Sequence, residues 1–247
     1  MTRSIFIIIV FSLLTSATSR GAELIESVKN TIRSTTPEKR KKRDARWWMK
    51  RHKLKLSEKT ELGDVKLVFL GDSITHAWDK YKSQWDKYFA KYKALNLGYS
   101  GDRTENVLWR LDNGEVDGIN PKVLVMMIGT NNAGLRKEKS QDTALGIKAI
   151  LQELRIKLPE TKILMLAIFP RGKNDNDELR KLTMGTNEII KTYADDKHIF
   201  YMNINKIFLD QDRVLHKNVM RDFLHPNESM YPKWAEAILP KIEELMQ

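Results

Sequence analysis

Nine residues constrain the fold more than any other stretch: Leu67-Val68-Phe69-Leu70-Gly71-Asp72-Ser73-Ile74-Thr75. Four apolar residues run into a glycine, an acid and a serine. A run that is apolar at both alternating positions has no face to give to water. It reads as a parallel strand covered by helices on both sides. The charged and aromatic stretch from Ser73 to about Lys93 reads as a helix. Ser73 then sits where a buried strand turns into a helix, beside N–H groups that have no partner within that helix. A nucleophile fits such a place. A plain turn with a helix cap fits it as well, since Gly, Asp and Ser all favour turns, and these residues alone do not separate the two readings.

The same alternation continues along the chain. Ala94–Leu97 reads as a second strand, ending in the two-glycine loop Gly98-Tyr99-Ser100-Gly101-Asp102-Arg103-Thr104, and a helix runs from Thr104 to Leu111. Val123–Ile128 is a third strand ending in Gly129-Thr130-Asn131-Asn132. A long amphipathic helix begins at Ser140 and stops before Pro159, and Lys162–Ile168 is a fourth strand. A helix from about Asn176 to Ala194 leads to a fifth strand, His198–Asn203. Strands alternating with helices predict right-handed βαβ units, hence an α/β, three-layer flavodoxin-like fold on a five-stranded parallel sheet. Trp78, Tyr81, Trp85, Tyr88 and Phe89 lie largely on one face of the helix after Ser73, which predicts core, and Trp109 reads as packing. His76 lies on that same helix with nothing to orient it, and His52 reads as a packing or surface residue.

Before this body the chain has a different character. Arg3, the apolar run Ile5–Leu14 broken only by Ser12, and Ala17-Thr18-Ser19 have the layout of an export signal over residues 1–19. The run is shorter than the roughly 20 residues that span a membrane. Export would make the protein periplasmic or secreted. Residues 20–60 form a basic extension and 61–247 the main domain. The formal net charge of +11 is concentrated there: from Glu38 to Lys55 ten Lys or Arg face two acids. The body is close to neutral, so no nucleic-acid-binding surface is implied. Thr36-Pro37 predicts a helix start that carries the basic run into Trp47, Trp48 and Met49. Such a helix either anchors the protein to an anionic surface or is a solvated helix that docks its tryptophans on the body; the usual behaviour of charge runs favours the second. The chain has no cysteine, which excludes disulfides, zinc-thiolate sites and a thiol nucleophile.

In open parallel sheets, sites lie beyond the carboxyl ends of the strands. Three such ends carry Ser73, Gly98 and Asn131, and Asp222-Phe223-Leu224-His225 follows the fifth strand. A serine hydroxyl needs a base to take its proton, and His225 has the right chemistry near neutral pH. Asp222, three residues earlier, is within reach to hold the imidazole in one tautomer. The Ser73 N–H, the Gly98 N–H and the Asn131 amide are three candidate donors to an oxyanion. Arg103 and Arg171 are weaker candidates for substrate contact.

These residues resemble the SGNH (GDSL-type) serine hydrolases. Gly71-Asp72-Ser73 is similar to the first block of that family, Gly98 to the second-block glycine, Asn131 to the third-block asparagine, and Asp222-x-x-His225 to the last block. Within the family, Val107-Leu108-Trp109-Arg110-Leu111, Asn113-Gly114-Glu115, Gly129-Thr130-Asn131-Asn132 and Pro170-Arg171-Gly172 are similar to the catalytic subunits of type I platelet-activating-factor acetylhydrolase and their bacterial relatives. The resemblance runs from about Arg46 to the carboxyl end. It implies a serine esterase with a shallow site for short acyl chains and no cofactor or metal. The branch is known for dimers, so a homodimer is open to this chain. Its animal members are cytosolic, whereas this chain has an export-like leader. An exported enzyme would more naturally remove acetyl or other short acyl groups from a small-molecule or carbohydrate ester. The alternatives are a lysophospholipase or thioesterase, or a non-catalytic binder of anionic surfaces.

Overall fold

The computed structural model describes residues 32–41 and 45–247. The leader-like residues 1–19 lie outside the described residues. The 3-10 turn Arg33–Thr35 precedes α1, Ala45–Leu62. Then come β1 (Leu67–Gly71), α2 (Ser73–His76), α3 (Lys82–Phe89), β2 (Leu95–Gly98), α4 (Thr104–Asp112), β3 (Val123–Met127) and α5 (Thr130–Arg136). They are followed by α6 (Ser140–Lys157), β4 (Lys162–Leu166), α7 (Glu178–Ile190), β5 (Ile199–Met202) and α8 (Met230–Met246).

The five strands form one parallel sheet in the order β2-β1-β3-β4-β5, the flavodoxin-like arrangement. β1 pairs on one side with β2 (Gly71 opposite Gly98) and on the other with β3 (Gly71 opposite Met127). The strand order reverses beside β1, which opens a crevice beyond its carboxyl end. The uninterrupted apolar run of β1 divides as expected. Leu67 and Phe69 enter one core with α8 and the aromatic residues after Ser73, while Val68 and Leu70 enter the other with α4 and α6.

Two local expectations are corrected. The stretch from Ser73 to Lys93 is not one helix: α2 passes into a 3-10 turn (Ala77–Lys80), breaks at Tyr81, resumes as α3 and ends in a second 3-10 turn (Ala90–Tyr92). Packing requires the break. Residues eleven apart on a straight helix are separated by about 16 Å along its axis, yet the rings of Trp78 and Phe89 meet at 5.4 Å. Trp78 also meets Trp234 at 5.3 Å, so the chain bends to bring its aromatics to one place under α8. That face is core, as expected.

The second correction concerns Thr36-Pro37, which starts no helix. Residues 37–41 are an irregular strap over the start of α4, where the Glu38 N–H donates to the Glu105 carbonyl (2.9 Å) and Asn106 Nδ2 donates to the Glu38 carbonyl (2.8 Å). A helix would withdraw those backbone groups. α5 forms directly after β3 and carries Asn131 in its first turn.

α1 docks through Trp48, which is fully buried against Tyr99 and Trp109 with ring centroids at 5.9 and 5.1 Å. The boundary drawn at residue 60 falls inside α1, whose last residue, Leu62, packs on the core. Trp48→Ala should therefore cost the whole domain about 3–5 kcal/mol, measured as a lower urea midpoint with a single transition. A separate early transition for α1 would show that it is only an appendage.

Candidate active site

Ser73 opens α2 immediately beyond β1, so its own N–H has no acceptor within the helix. Asp72 caps the turn by accepting the Ile74 N–H at 3.0 Å. The Ser73 hydroxyl lies 2.9 Å from His225 Nε2, and His225 Nδ1 lies 2.7 Å from Asp222 Oδ2. A carboxylate only accepts, so Nδ1 carries the proton and the bare Nε2 accepts from the serine hydroxyl. Asp222 Oδ1 also accepts the N–H groups of Leu224 and His225, at 3.1 and 2.8 Å. Partial burial pushes the Asp222 carboxyl up, but the imidazole and these N–H groups outweigh it and hold the carboxyl below its usual range. Phe223, at the tip of the turn, adopts φ +56°, a left-handed conformation that folds Asp222 back onto His225. The side chains of His225 and Asp222 are 41% and 53% exposed, so the site opens to solvent.

The structure brings Ser73, Asp222 and His225 together; Asn131 stands in the first turn after β3, the strand that pairs with β1, and is held by the loop that follows β2. Asn131 is 7% exposed; its Nδ2 donates one hydrogen to the Asp102 carbonyl at 2.9 Å and retains another. Its neighbour Asn132 serves the framework instead, donating to Thr104 Oγ1 and Glu138 and accepting the Thr104 N–H.

Gly98 is a correction. Its N–H points off the sheet edge and donates to Asn96 Oδ1 at 3.0 Å, so it is not available to an oxyanion. Glycine is required there for space, since an added Cβ would lie 2.2 Å from the His76 nitrogen and 2.5 Å from the Thr75 carbonyl carbon. The neighbouring N–H groups are also engaged: Tyr99 donates to the Gly71 carbonyl, Ser100 to His76 Nδ1 and Asp102 to the Tyr99 carbonyl. The Gly101 N–H makes no hydrogen bond among the described residues, and Gly101 has φ +77°. It is the donor in this loop that sequence reading missed. The signal was its place in the turn proper, where a positive φ is needed, rather than at the end of the strand.

The other candidates are occupied. Arg171 donates to the Thr130 carbonyl and hydroxyl at 2.6 and 3.1 Å, bracing the start of α5, and Arg103 pairs with Glu105 at 2.6 Å. His76, expected to be unoriented, is held by Ser100 and stacks on Trp47 at 5.8 Å. Burial and the nearby Arg51 push its pKa down to about 4, so it is neutral and works as an acceptor for the loop. His52 is buried, with Nε2 donating to the Asn113 carbonyl at 3.2 Å. Among the described residues no group of His, Asp and Glu side chains is arranged to hold a metal ion.

Two outcomes follow from this geometry. Gly98→Ala should destabilise the fold by roughly 3 kcal/mol, because the contacted atoms are backbone and do not yield; an unchanged melting temperature would disprove the close approach. The second outcome concerns Asp72, fully buried, whose pKa is raised to about 7 by desolvation. The native state then holds a proton that the unfolded chain releases near pH 4, so ionisation opposes folding as pH rises from about 4 to 7. Asp72→Asn keeps the acceptor for Ile74 and removes the charge. Its stability relative to wild type should improve steadily across that range and differ little at pH 4. A difference independent of pH would contradict the assignment.

Comparison with known proteins places the chain among ester hydrolases. Residues 69–232 match the model of the GDSL-like Lipase/Acylhydrolase family. The platelet-activating factor acetylhydrolase IB subunit alpha2 of Rattus norvegicus is 33% identical over 205 residues, covering 83% of this chain and 86% of the relative. A GDSL-like lipase from Bacteroides thetaiotaomicron superposes with a TM-score of 0.64 at 19% identity, covering 78% of this chain and 97% of that one. An acetylxylan esterase from Geobacillus stearothermophilus superposes with a TM-score of 0.59 at 17% identity, covering 73% and 95%.

Proposed function

The chain belongs to the GDSL-like lipase/acylhydrolase family and is an SGNH-type esterase; we propose that Ser73, His225 and Asp222 carry its chemistry and that it removes acetyl or other short acyl groups from an extracellular ester such as an acetylated carbohydrate. The observation that carries this reading is the continuous relay of 2.9 and 2.7 Å from Ser73 through His225 to Asp222. The Ser73 oxygen attacks the ester carbonyl as His225 Nε2 takes its proton. The carbonyl oxygen becomes an oxyanion that accepts from the N–H groups of Ser73 and Gly101 and from Asn131 Nδ2. His225 then gives its proton to the departing alcohol, leaving an acyl-serine. Water, deprotonated by His225, attacks that ester, and the carboxylic acid leaves as the Ser73 hydroxyl is restored. Asp222 fixes the tautomer and stabilises the imidazolium throughout.

Three things support the substrate class. The exposed His225 and Asp222 leave room for a bulky alcohol on the open side of the site. The relatives include acetylhydrolases and a fold neighbour is an acetylxylan esterase. Residues 1–19 have an export-like pattern. Lys39, Lys41, Arg46, Lys50 and Lys53 remain exposed on the basic segment, where they suit an anionic surface near such a substrate.

A series of p-nitrophenyl esters from acetate to decanoate, with wild type and Ser73→Ala, tests the proposal. Activity should peak at acetate and fall by at least about 10³-fold in the variant, and acetylated xylan should then release acetate. A peak at octanoate or longer would assign a lysophospholipase or thioesterase, and a Ser73→Ala variant with most of the rate would dismiss Ser73 as nucleophile.

A further inference from the structure

The stripe that α1 turns toward the body is Trp48, Arg51, His52, Lys55 and Lys59. Charged residues on a buried face are costly unless their heads are paired, and aliphatic residues would dock a helix at lower cost. His52 and Lys59 reach the Asn113, Gly114 and Asp117 carbonyls and Lys55 pairs with Glu58, while three other polar heads of the segment meet on one loop, residues 98–102. Arg51 Nε donates to the Gly98 carbonyl at 2.8 Å, and Trp48 Nε1 donates to Asp102 Oδ1 at 2.7 Å. In the strap before α1, Arg40 Nη1 donates to the Gly101 carbonyl at 2.5 Å. Trp47 stacks on His76, which accepts the Ser100 N–H. The fifth residue, Tyr99, has its ring centroid 5.1 Å from the Arg51 guanidinium and 4.0 Å from that of Arg110. The basic segment thus touches or indirectly braces every residue of the loop that presents the Gly101 N–H.

We infer that this segment is a positioning device for the oxyanion loop, with Arg51 and Trp48 as positioning residues; the inference rests on the esterase reading of the site. Gly101 has no side chain with which to fix its own conformation, and at φ +77° it occupies a region open to many nearby conformations. A donor stabilises an oxyanion only if it already points where the charge will develop. Held at Gly98, Asp102 and Gly101 itself, the loop has no freedom to swing the N–H away. The segment therefore acts on the rate of the chemical step and not on the Ser73–His225–Asp222 relay, to which its described residues make no hydrogen bond.

The test uses the full-length protein and p-nitrophenyl acetate, with Trp48→Phe, Arg51→Met and Arg51→Lys. Trp48→Phe keeps an aromatic ring and removes the donor to Asp102. Trp48→Phe and Arg51→Met should each lower kcat on the order of 10-fold, with KM within about two-fold of wild type. The midpoint of the pH profile of kcat/KM should not move, and Arg51→Lys should recover part of the loss. Thermal melts establish that each variant is folded at the assay temperature. Unchanged kcat in folded Trp48→Phe and Arg51→Met would overturn the inference and leave the esterase reading intact. Loss of rate only in proportion to loss of folded protein, or with a displaced pH midpoint, would also overturn it. A wild type inert toward every ester would overturn the esterase reading and this inference together.

Discussion

The arrangement of the site depends on one buried carboxylate. Asp102, with no exposed surface, receives the Arg110 guanidinium on Oδ2 at 2.9 Å and the Trp48 indole on Oδ1 at 2.7 Å, while its backbone carbonyl receives the Asn131 amide. One residue therefore joins α4, α1 and α5 beneath the loop that carries Gly101. Burial raises its pKa to about 6, even though Arg110 and Trp48 oppose that shift. Arg110 is itself fully buried and also pairs with Glu115. Such an ion cluster contributes little net stability compared with an apolar substitute, but removing one member strands the others and costs about 3–5 kcal/mol. What it contributes is direction: Asp102 holds the loop through its two carboxylate oxygens and its backbone carbonyl at once.

The two halves of the site are built by opposite means. Asp222 and His225 are three residues apart, on an exposed turn whose internal bonds complete the pair. The oxyanion side is assembled from the ends of β1, β2 and β3, and its parts are set by contacts between residues distant in sequence. That difference explains what could be read in advance. The strand series was legible because β1, β3 and β4 are apolar on both faces and alternate with helical stretches, and it brought Ser73 and Asn131 to the crevice beside β1. The Asp222–His225 pair was legible because it is local.

Other features were not legible, for identifiable reasons. Which glycine presents its N–H depends on which way the peptide faces at the end of an edge strand, and neither Gly98 nor Gly101 reveals that by spacing. The break at Tyr81 comes from Trp234 and Phe69, whose positions are set elsewhere in the chain. The docking face of α1 carries no apolar periodicity because its buried stripe is mostly cationic, so a pattern sought in hydrophobic residues misses it. The spacing 48, 51, 52, 55, 59 is nevertheless that of one helical face.

A basic segment beside a forming oxyanion invites a purely electrostatic account, in which its positive field stabilises the developing charge. The pairing argues against that account. Arg51 is matched by Asp79 at 2.6 Å, Arg110 by Asp102 and Glu115, and Lys55 by Glu58 at 2.6 Å. Around the loop the fixed charges nearly cancel, and opposite charges a few ångströms apart leave only a dipolar field that falls steeply with distance. What does not cancel is direction. Arg51 Nε, Arg40 Nη1 and Trp48 Nε1 each point at a particular loop acceptor, and those bonds fix where the Gly101 N–H aims. Geometry rather than net charge is therefore what the buried cations of this segment supply to the loop.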